Sequence, residues 1–366
     1  MKRIISIGIG VCILLLSACS TPSSSVSPTS IQEPAILPLS TPGPYHVGIL
    51  RNITFEDPSR NSRKVTITIW YPAIQPQGSV GSEPIPDANP EPSGKPYPLI
   101  LSSTKVGFIF APHLVSYGLV VVGINGQDSK DHWGQWLTDY PLDLVFALNQ
   151  IAVDPPEGLA GITDTEYAGA MGYSFDGYTS LALSGARVDP EFYLAQCAKV
   201  ADMNPAPPAW WSDYICNLTG GWDAFVVNAG STITTSNDGL WKPMTDERIR
   251  AVMPMAPEGA WLFGERGLAA VDRPTLIVGA AQDTINYYDL EAAYTFNHIP
   301  TSNRVMVSFV DQGHMMVYDP AQVARMAHFA VAFFGYHLHG QADFAKYFSE
   351  DFVTQYNDLA WGKYQK

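Results

Sequence analysis

Residues 166–186, EYAGAMGYSFDGYTSLALSGA, decide how the rest of the chain is read. Tyr167 to Tyr173 mixes apolar and small residues in one short run, the pattern of a strand buried on both faces. From Phe175 onward, Tyr178, Leu181 and Ala182 recur at helical spacing. Ser174 therefore stands on a strand-to-helix turn at the carboxyl edge of a sheet. Such a turn is strained, lifts the hydroxyl clear of the sheet and aims it at the positive end of the following helix. Gly172 lies where the two backbones nearly touch. Two residues after the serine, where a second glycine is usual, stands Asp176, with Gly177 one step later. A serine in any strand–helix loop would also show G-x-S, so the flanking chain must discriminate.

Upstream, residues 45–55 and 64–72 read as paired strands, the second alternating Val65, Ile67 and Ile69 with Thr66 and Thr68. Residues 98–103 and 119–124 are continuous apolar runs, as two-faced strands require. Helical patterns are expected over 109–117 and 137–152. Downstream come strands at 249–256, 274–280 and 304–310, and helices at 287–298 and 320–336. Strand alternating with helix predicts an α/β fold, a mostly parallel sheet with helices on both faces. In such sheets chemistry collects where strands end at their carboxyl side.

Just past 274–280 stands Asp283, and just past 304–310 stands His314. A serine, an acid and a histidine thus follow three strands, in the chain order of a hydrolase with a strained nucleophile turn. Each alone has an ordinary reading, since an Asp commonly caps a turn and a lone His is commonly structural. Together they predict catalysis: His314 takes the proton of Ser174 during attack on an acyl carbonyl and returns it to the leaving alcohol. Asp283 fixes the imidazole tautomer; Asp289 and Asp311 are weaker candidates for that acid. The oxyanion requires two backbone donors, expected at Phe175 and in the loop after 98–103, near Val106.

The amino end has another logic. Residues 1–19, MKRIISIGIGVCILLLSAC, have a basic start, a short apolar run and small residues before Cys19. They resemble a bacterial lipoprotein signal, which implies removal of 1–18 and lipidation of Cys19. An ordinary secretory signal or a single anchor is the alternative. Residues 19–44, rich in Ser, Thr and Pro, are expected to form a tether, with a folded domain over 45–340. The 21 Lys and Arg, less Lys2 and Arg3, leave 19 against 35 Asp and Glu, a net charge of −16 on the mature chain. So acidic a surface argues against nucleic acid or an anionic membrane face as partner, leaving the lipid as the only membrane attachment. Of four cysteines, only Cys197 and Cys216 lie in the folded part, and export favours a disulfide between them.

With these residues placed, the chain over roughly 45–340 resembles the α/β-hydrolase superfamily. It is similar to bacterial dienelactone-hydrolase-like serine esterases related to platelet-activating-factor acetylhydrolase. Gly172-Tyr-Ser174-Phe-Asp-Gly-Tyr-Thr-Ser-Leu-Ala-Leu183 looks like that family's G-x-S-F-G-G-Y-T segment, and Tyr140-Pro-Leu-Asp143-Leu like its helix opening. Gly279 to Asp283 and Gly313-His314 match its remaining motifs. The resemblance implies a Ser174–Asp283–His314 esterase without metal or organic cofactor, and serine in place of cysteine argues against dienelactone hydrolysis itself. Two departures stand out. Asp176 replaces a glycine, and Ser103-Thr-Lys105-Val-Gly107 replaces Ser-His-Gly-x-Gly. An ion pair of Lys105 with Asp176 would make the two departures one compensating change.

Residues 187–247 are too long for a plain connection and are expected to cap the site. Lys105, Trp210, Trp211, Trp222 and Trp241 are candidate pocket residues, with simple packing of the tryptophans as the alternative. Residues 341–366 are expected to close the fold as an amphipathic helix. The leading function is hydrolysis of short to medium carboxylic esters. A polyester or lipid hydrolase is the nearest alternative, and a non-catalytic ligand-binding lipoprotein the alternative of another class. A metal role for His337-x-His339 is disfavoured, because that spacing suits a strand better than a helix end.

Overall fold

A computed structural model describes residues 35–75, 83–126, 133–300, 302 and 304–365. The expected signal, Cys19 and the first part of the tether lie outside the described residues. Among the described residues, ten strands form one mixed, mostly parallel sheet in the order β10-β9-β8-β7-β6-β4-β5-β2-β1-β3. Strands β4 (Tyr97–Ser103), β5 (Val120–Ile124), β6 (Thr163–Tyr173), β7 (Ile249–Met255), β8 (Thr275–Ala280) and β9 (Arg304–Phe309) run parallel. The hairpin β1 (His46–Asp57) and β2 (Arg63–Ala73) adds antiparallel strands beyond β5. Short β3 (Ile85–Pro86) and β10 (Leu359–Trp361) occupy the two edges.

Helices cover both faces because the central strands are apolar on both. All seven residues of β4 are buried. On one face lie α1 (Thr104–Ser116) and α10 (Pro320–His339), whose Phe329, Phe333 and Phe334 are within 1% of full burial. Each such side chain contributes roughly 1.5–3 kcal/mol by leaving water. On the other face lie α2 (Trp133–Val153), α3 (Phe175–Leu183), α8 (Ala260–Leu268) and α9 (Ala292–His298). The insertion 187–247 contributes four short helices, α4 (Pro190–Lys199), α5 (Ala209–Ile215), α6 (Trp222–Ala229) and α7 (Ser231–Thr234). They pack into the same apolar cluster as α3 and α8.

Four expectations need correction. The folded body starts upstream of Tyr45: Leu37 and Leu39 are buried in the core. The backbone of Leu39 is gripped from both sides, its N–H donating to His328 Nδ1 at 3.0 Å and its carbonyl accepting from His113 Nε2 at 2.7 Å. Burial holds the His328 imidazole down at about 3, so the ring stays neutral and can accept. The segment after β4 is helical from Thr104, not from 109, because Ser103 caps α1 by accepting from Val106 N–H at 3.2 Å. Of the helix expected over 287–298, only Ala292–His298 is α-helical, since the preceding residues wrap around Asp283. Residues 341–366 do not form one helix. They give a 3-10 turn (Ala342–Phe348), α11 (Glu350–Val353) and the sheet strand β10. Phe344, Tyr347 and Phe352 still pack against the core, but from a 3-10 turn and a short helix, whose backbones present them at a different spacing from one continuous helix.

Candidate active site

Ser174 links β6 to α3 at φ 59° and ψ −122°. A non-glycine residue there costs on the order of 1–3 kcal/mol and persists only where its surroundings enforce it. Here the enforcement is visible. Ser174 N–H donates to Met255 O at 3.0 Å, and Gly177 N–H donates to Ser174 O at 2.8 Å. A Cβ on Gly172 would sit 1.8 Å from Asp176 O, so only glycine fits below the turn. A Cβ on Gly177 would lie 2.7 Å from Pro257 Cα. The second close approach therefore falls on Gly177, one residue later than usual, and Asp176 is relieved of it.

Asp176 is only 5% exposed and accepts from Ser103 Oγ at 2.7 Å. That oxygen also takes the Val106 N–H, so one hydroxyl joins the start of α1 to the start of α3. Lys105 is exposed on the first turn of α1 and borders a cavity of about 200 Å³ with Thr104, Phe108 and Tyr140. One hydrogen bond on Asp176 thus comes from Ser103, to which the sequence reading assigns no role of its own. Its position before an apolar helical run was the available signal.

At the carboxyl ends of β6, β8 and β9 the structure brings Ser174, Asp283 and His314 together. His314 Nε2 lies 2.9 Å from Ser174 Oγ, and His314 Nδ1 lies 2.8 Å from Asp283 Oδ2. A carboxylate only accepts, so Nδ1 carries the hydrogen and Nε2 is left to accept the serine proton. The side chains are 10% and 2% exposed at His314 and Asp283, so water competes little for this chain of bonds. Asp283 Oδ1 accepts from Ile285 N–H and Asn286 N–H, both at 2.9 Å, which fixes its rotamer. Tyr173 OH, just before the serine, donates to His314 O at 2.5 Å and anchors the histidine loop. The other acids stand elsewhere: Asp289 is exposed and paired with Lys363 at 2.9 Å, and Asp311 is exposed in the turn after β9.

The four insertion tryptophans divide. Trp211 is buried against Trp261, with ring centres 4.9 Å apart, and Trp241 is buried against Phe225 at 4.8 Å. Trp222 is half-buried on Tyr193 at 5.4 Å. These three pack the insertion's interior rather than line an open pocket, since their indoles are consumed by aromatic neighbours. Trp210 alone is half exposed, 5.9 Å from Tyr287 beside the acid turn. Ile285, two residues after Asp283, and Met315 and Tyr318, which follow His314 in the chain, also show large apolar surface. Cys197 and Cys216, with Cα atoms 5.5 Å apart, are bonded and join α4 to the end of α5. Phe175 opens α3, one of the positions whose N–H has no acceptor within a helix.

Three further polar residues escaped the sequence analysis. Asn286 is buried between Asp283 and Ser174. Glu258 is buried after β7 and accepts from Tyr214 OH of α5 at 2.9 Å. Glu291 is buried and accepts from Ala260 N–H at 2.9 Å. Burial first, then the neighbouring Glu258 and Asp283, pushes the Glu291 carboxyl well above its ordinary value of 4.5. No local motif marks any of these; only the folded chain assembles them.

His337 and His339 end α10, and His337 packs edge-on to Phe333 at 4.6 Å, where burial holds it at about 4. Among the described residues, no cluster of His, Cys, Asp or Glu could hold a metal ion, and no helix is long and apolar enough to cross a membrane. No protein-family model matches the chain, and no curated protein matches it.

Proposed function

We propose that this chain is a serine esterase of the α/β-hydrolase type, cleaving carboxylic esters through an acyl-enzyme. One observation carries the reading: an oriented Asp283–His314–Ser174 relay, at 2.8 and 2.9 Å, at the carboxyl ends of three strands of a parallel sheet. In this reading Ser174 Oγ attacks the ester carbonyl as its proton passes to His314 Nε2. The tetrahedral intermediate collapses, the carbon–oxygen bond to the alcohol breaks, and His314 returns the proton to that alcohol. Water then repeats the sequence on the acyl-enzyme. Asp283 holds the imidazole in the productive tautomer throughout. The oxyanion is met by Phe175 N–H and by the first turn of α1. Val106 is a poor choice for the second donor, because its N–H is already bonded to Ser103.

The test is direct. Purified protein should be labelled by a fluorophosphonate probe and should hydrolyse nitrophenyl esters. Ser174→Ala should lose both while keeping a native circular dichroism spectrum. Wild-type turnover in that variant would end the assignment.

A second reading, hydrolysis of water-insoluble esters such as polyesters or lipids, is favoured by the exposed apolar side chains that follow the acid and the histidine in the chain, Ile285 after Asp283 and Met315 and Tyr318 after His314. Turnover on an emulsified triglyceride or a polyester film exceeding that on a soluble butyrate ester would select it. Export and attachment through a lipidated Cys19 belong to the same proposal. Mass spectrometry of the processed amino terminus tests them.

A further inference from the structure

Asn286 stands among the three relay residues without belonging to the relay. It is 4% exposed, in the turn that follows Asp283. Its backbone N–H donates to Asp283 Oδ1 at 2.9 Å. Its side-chain Nδ2 donates to Ala256 O at 2.9 Å and reaches Ser174 Oγ at 3.4 Å. The amide orientation follows from chemistry, because a backbone carbonyl can only accept and must face nitrogen rather than oxygen. Nδ2 carries two hydrogens, which matches the two acceptors around it. Ala256 is itself a non-glycine residue at positive φ, 38°, directly after Met255, whose carbonyl holds Ser174 N–H. One buried amide therefore ties together the ends of β6, β7 and β8.

We infer that Asn286 is a positioning residue for the nucleophile, a role that rests on the serine-hydrolase reading. A serine hydroxyl has one hydrogen and two lone pairs, and it rotates to suit its neighbours. With Nδ2–H donating to one lone pair, the hydroxyl hydrogen points to His314 Nε2 and the other lone pair faces the incoming carbonyl carbon. As the proton leaves for His314, charge builds on Oγ and the amide contact tightens, as apo contacts at catalytic groups commonly do. Once Oγ is an ester oxygen it accepts poorly, and the amide falls back on Ala256 O. A plug that merely joined β7 to β8 would do none of this.

The experiment compares Asn286→Ala, Asn286→Asp and Asn286→Ser in the full chain, with rates normalised to sites titrated by the probe. Asn286→Ala is expected to lower kcat about 10–100-fold, the range for outer groups that orient a reacting one. KM should move by less than about threefold, and the rate of fluorophosphonate labelling should fall with kcat. Asn286→Asp keeps the size but turns a donor into a carboxylate beside the histidine–serine pair. Its lower pH limb of kcat/KM should move upward, because nearby negative charge favours the protonated imidazole. Asn286→Ser, whose short hydroxyl reaches neither acceptor directly but leaves a polar space that water can fill, serves if the alanine variant does not fold; the same loss of kcat is expected. Labelling at the wild-type rate in the folded variants, with only the melting temperature lowered, would overturn the positioning role alone. A wild-type protein that neither labels nor turns over esters would overturn both the role and the reading beneath it.

Discussion

The Ser103–Asp176 contact explains how a charged residue occupies a turn position that normally calls for glycine, and its strength can be worked out. Ser103→Ala removes two things at once. Loss of the cap on α1 costs typically ~1 kcal/mol. Loss of the hydroxyl that faces a 5%-exposed carboxylate at 2.7 Å adds about 1.5–3 kcal/mol, the range for a hydrogen bond to a charged group. The expected total is roughly 2.5–4 kcal/mol, a large part of the 5–15 kcal/mol typical of a folded domain. Urea unfolding followed by tryptophan fluorescence measures it. Asp176→Asn, alone and combined with Ser103→Ala, completes a cycle whose coupling should lie within the ~0.5–3 kcal/mol of contacting residues. The reasoning is refuted if the Ser103 and Asp176 changes add to within ~0.3 kcal/mol.

Asp283→Asn should lower kcat by about 10⁴, or ~5 kcal/mol in the barrier, because an amide at 2.8 Å from Nδ1 favours the wrong tautomer; a loss below tenfold would exonerate Asp283. Glu291→Gln keeps the oxygen that accepts from Ala260 N–H but removes a buried ionisable group whose folded pKa is raised. The folded wild type holds that proton longer than the unfolded chain does. Its stability therefore declines as pH rises from about 4.5 toward the raised value, and the variant should gain on it across that window. A pH-independent difference in melting temperature would count against a neutral Glu291. Replacing Cys197 and Cys216 by serine opens a loop spanning 19 residues and should cost roughly 3 kcal/mol in unfolding free energy, read by guanidinium titration without reductant.

The parallel sheet was legible because its strands are apolar on both faces and separated by helical patterns; β4, β5, β7, β8 and β9 fall within a residue or two of where those runs predict. The relay was legible for a related reason, since each member directly follows such a strand. What escaped depends on contacts distant in sequence. Leu37 and Leu39 sit in a Pro- and Ser-rich stretch whose composition says tether, and their docking requires His113 and His328, which are far away in the chain. Residues 341–366 carry aromatics at loosely helical spacing, and the three-residue pairing of Leu359–Trp361 with β9 gives no periodic signal at all. The residue type of the insertion's tryptophans fits a pocket lining and plain packing alike. Burial assigns three of the four to packing, and only the fold could make that distinction.

The two sheet edges have a consequence for how the molecule behaves at high concentration. One margin is β3, two residues long and half proline, which offers almost no unpaired N–H groups. The other is β10, whose Leu359, Ala360 and Trp361 cover Phe309, Ser308 and Val307 of β9. Beneath it lies the uncharged segment Val305-Met-Val-Ser-Phe309, the kind of ribbon that adds strands from other chains when left bare. β10 thus occupies the edge hydrogen-bonding groups of β9 that would otherwise be open to another chain. Because the guarded strand leads into His314, clipping the tail would put solubility and the geometry of the histidine at risk in one step.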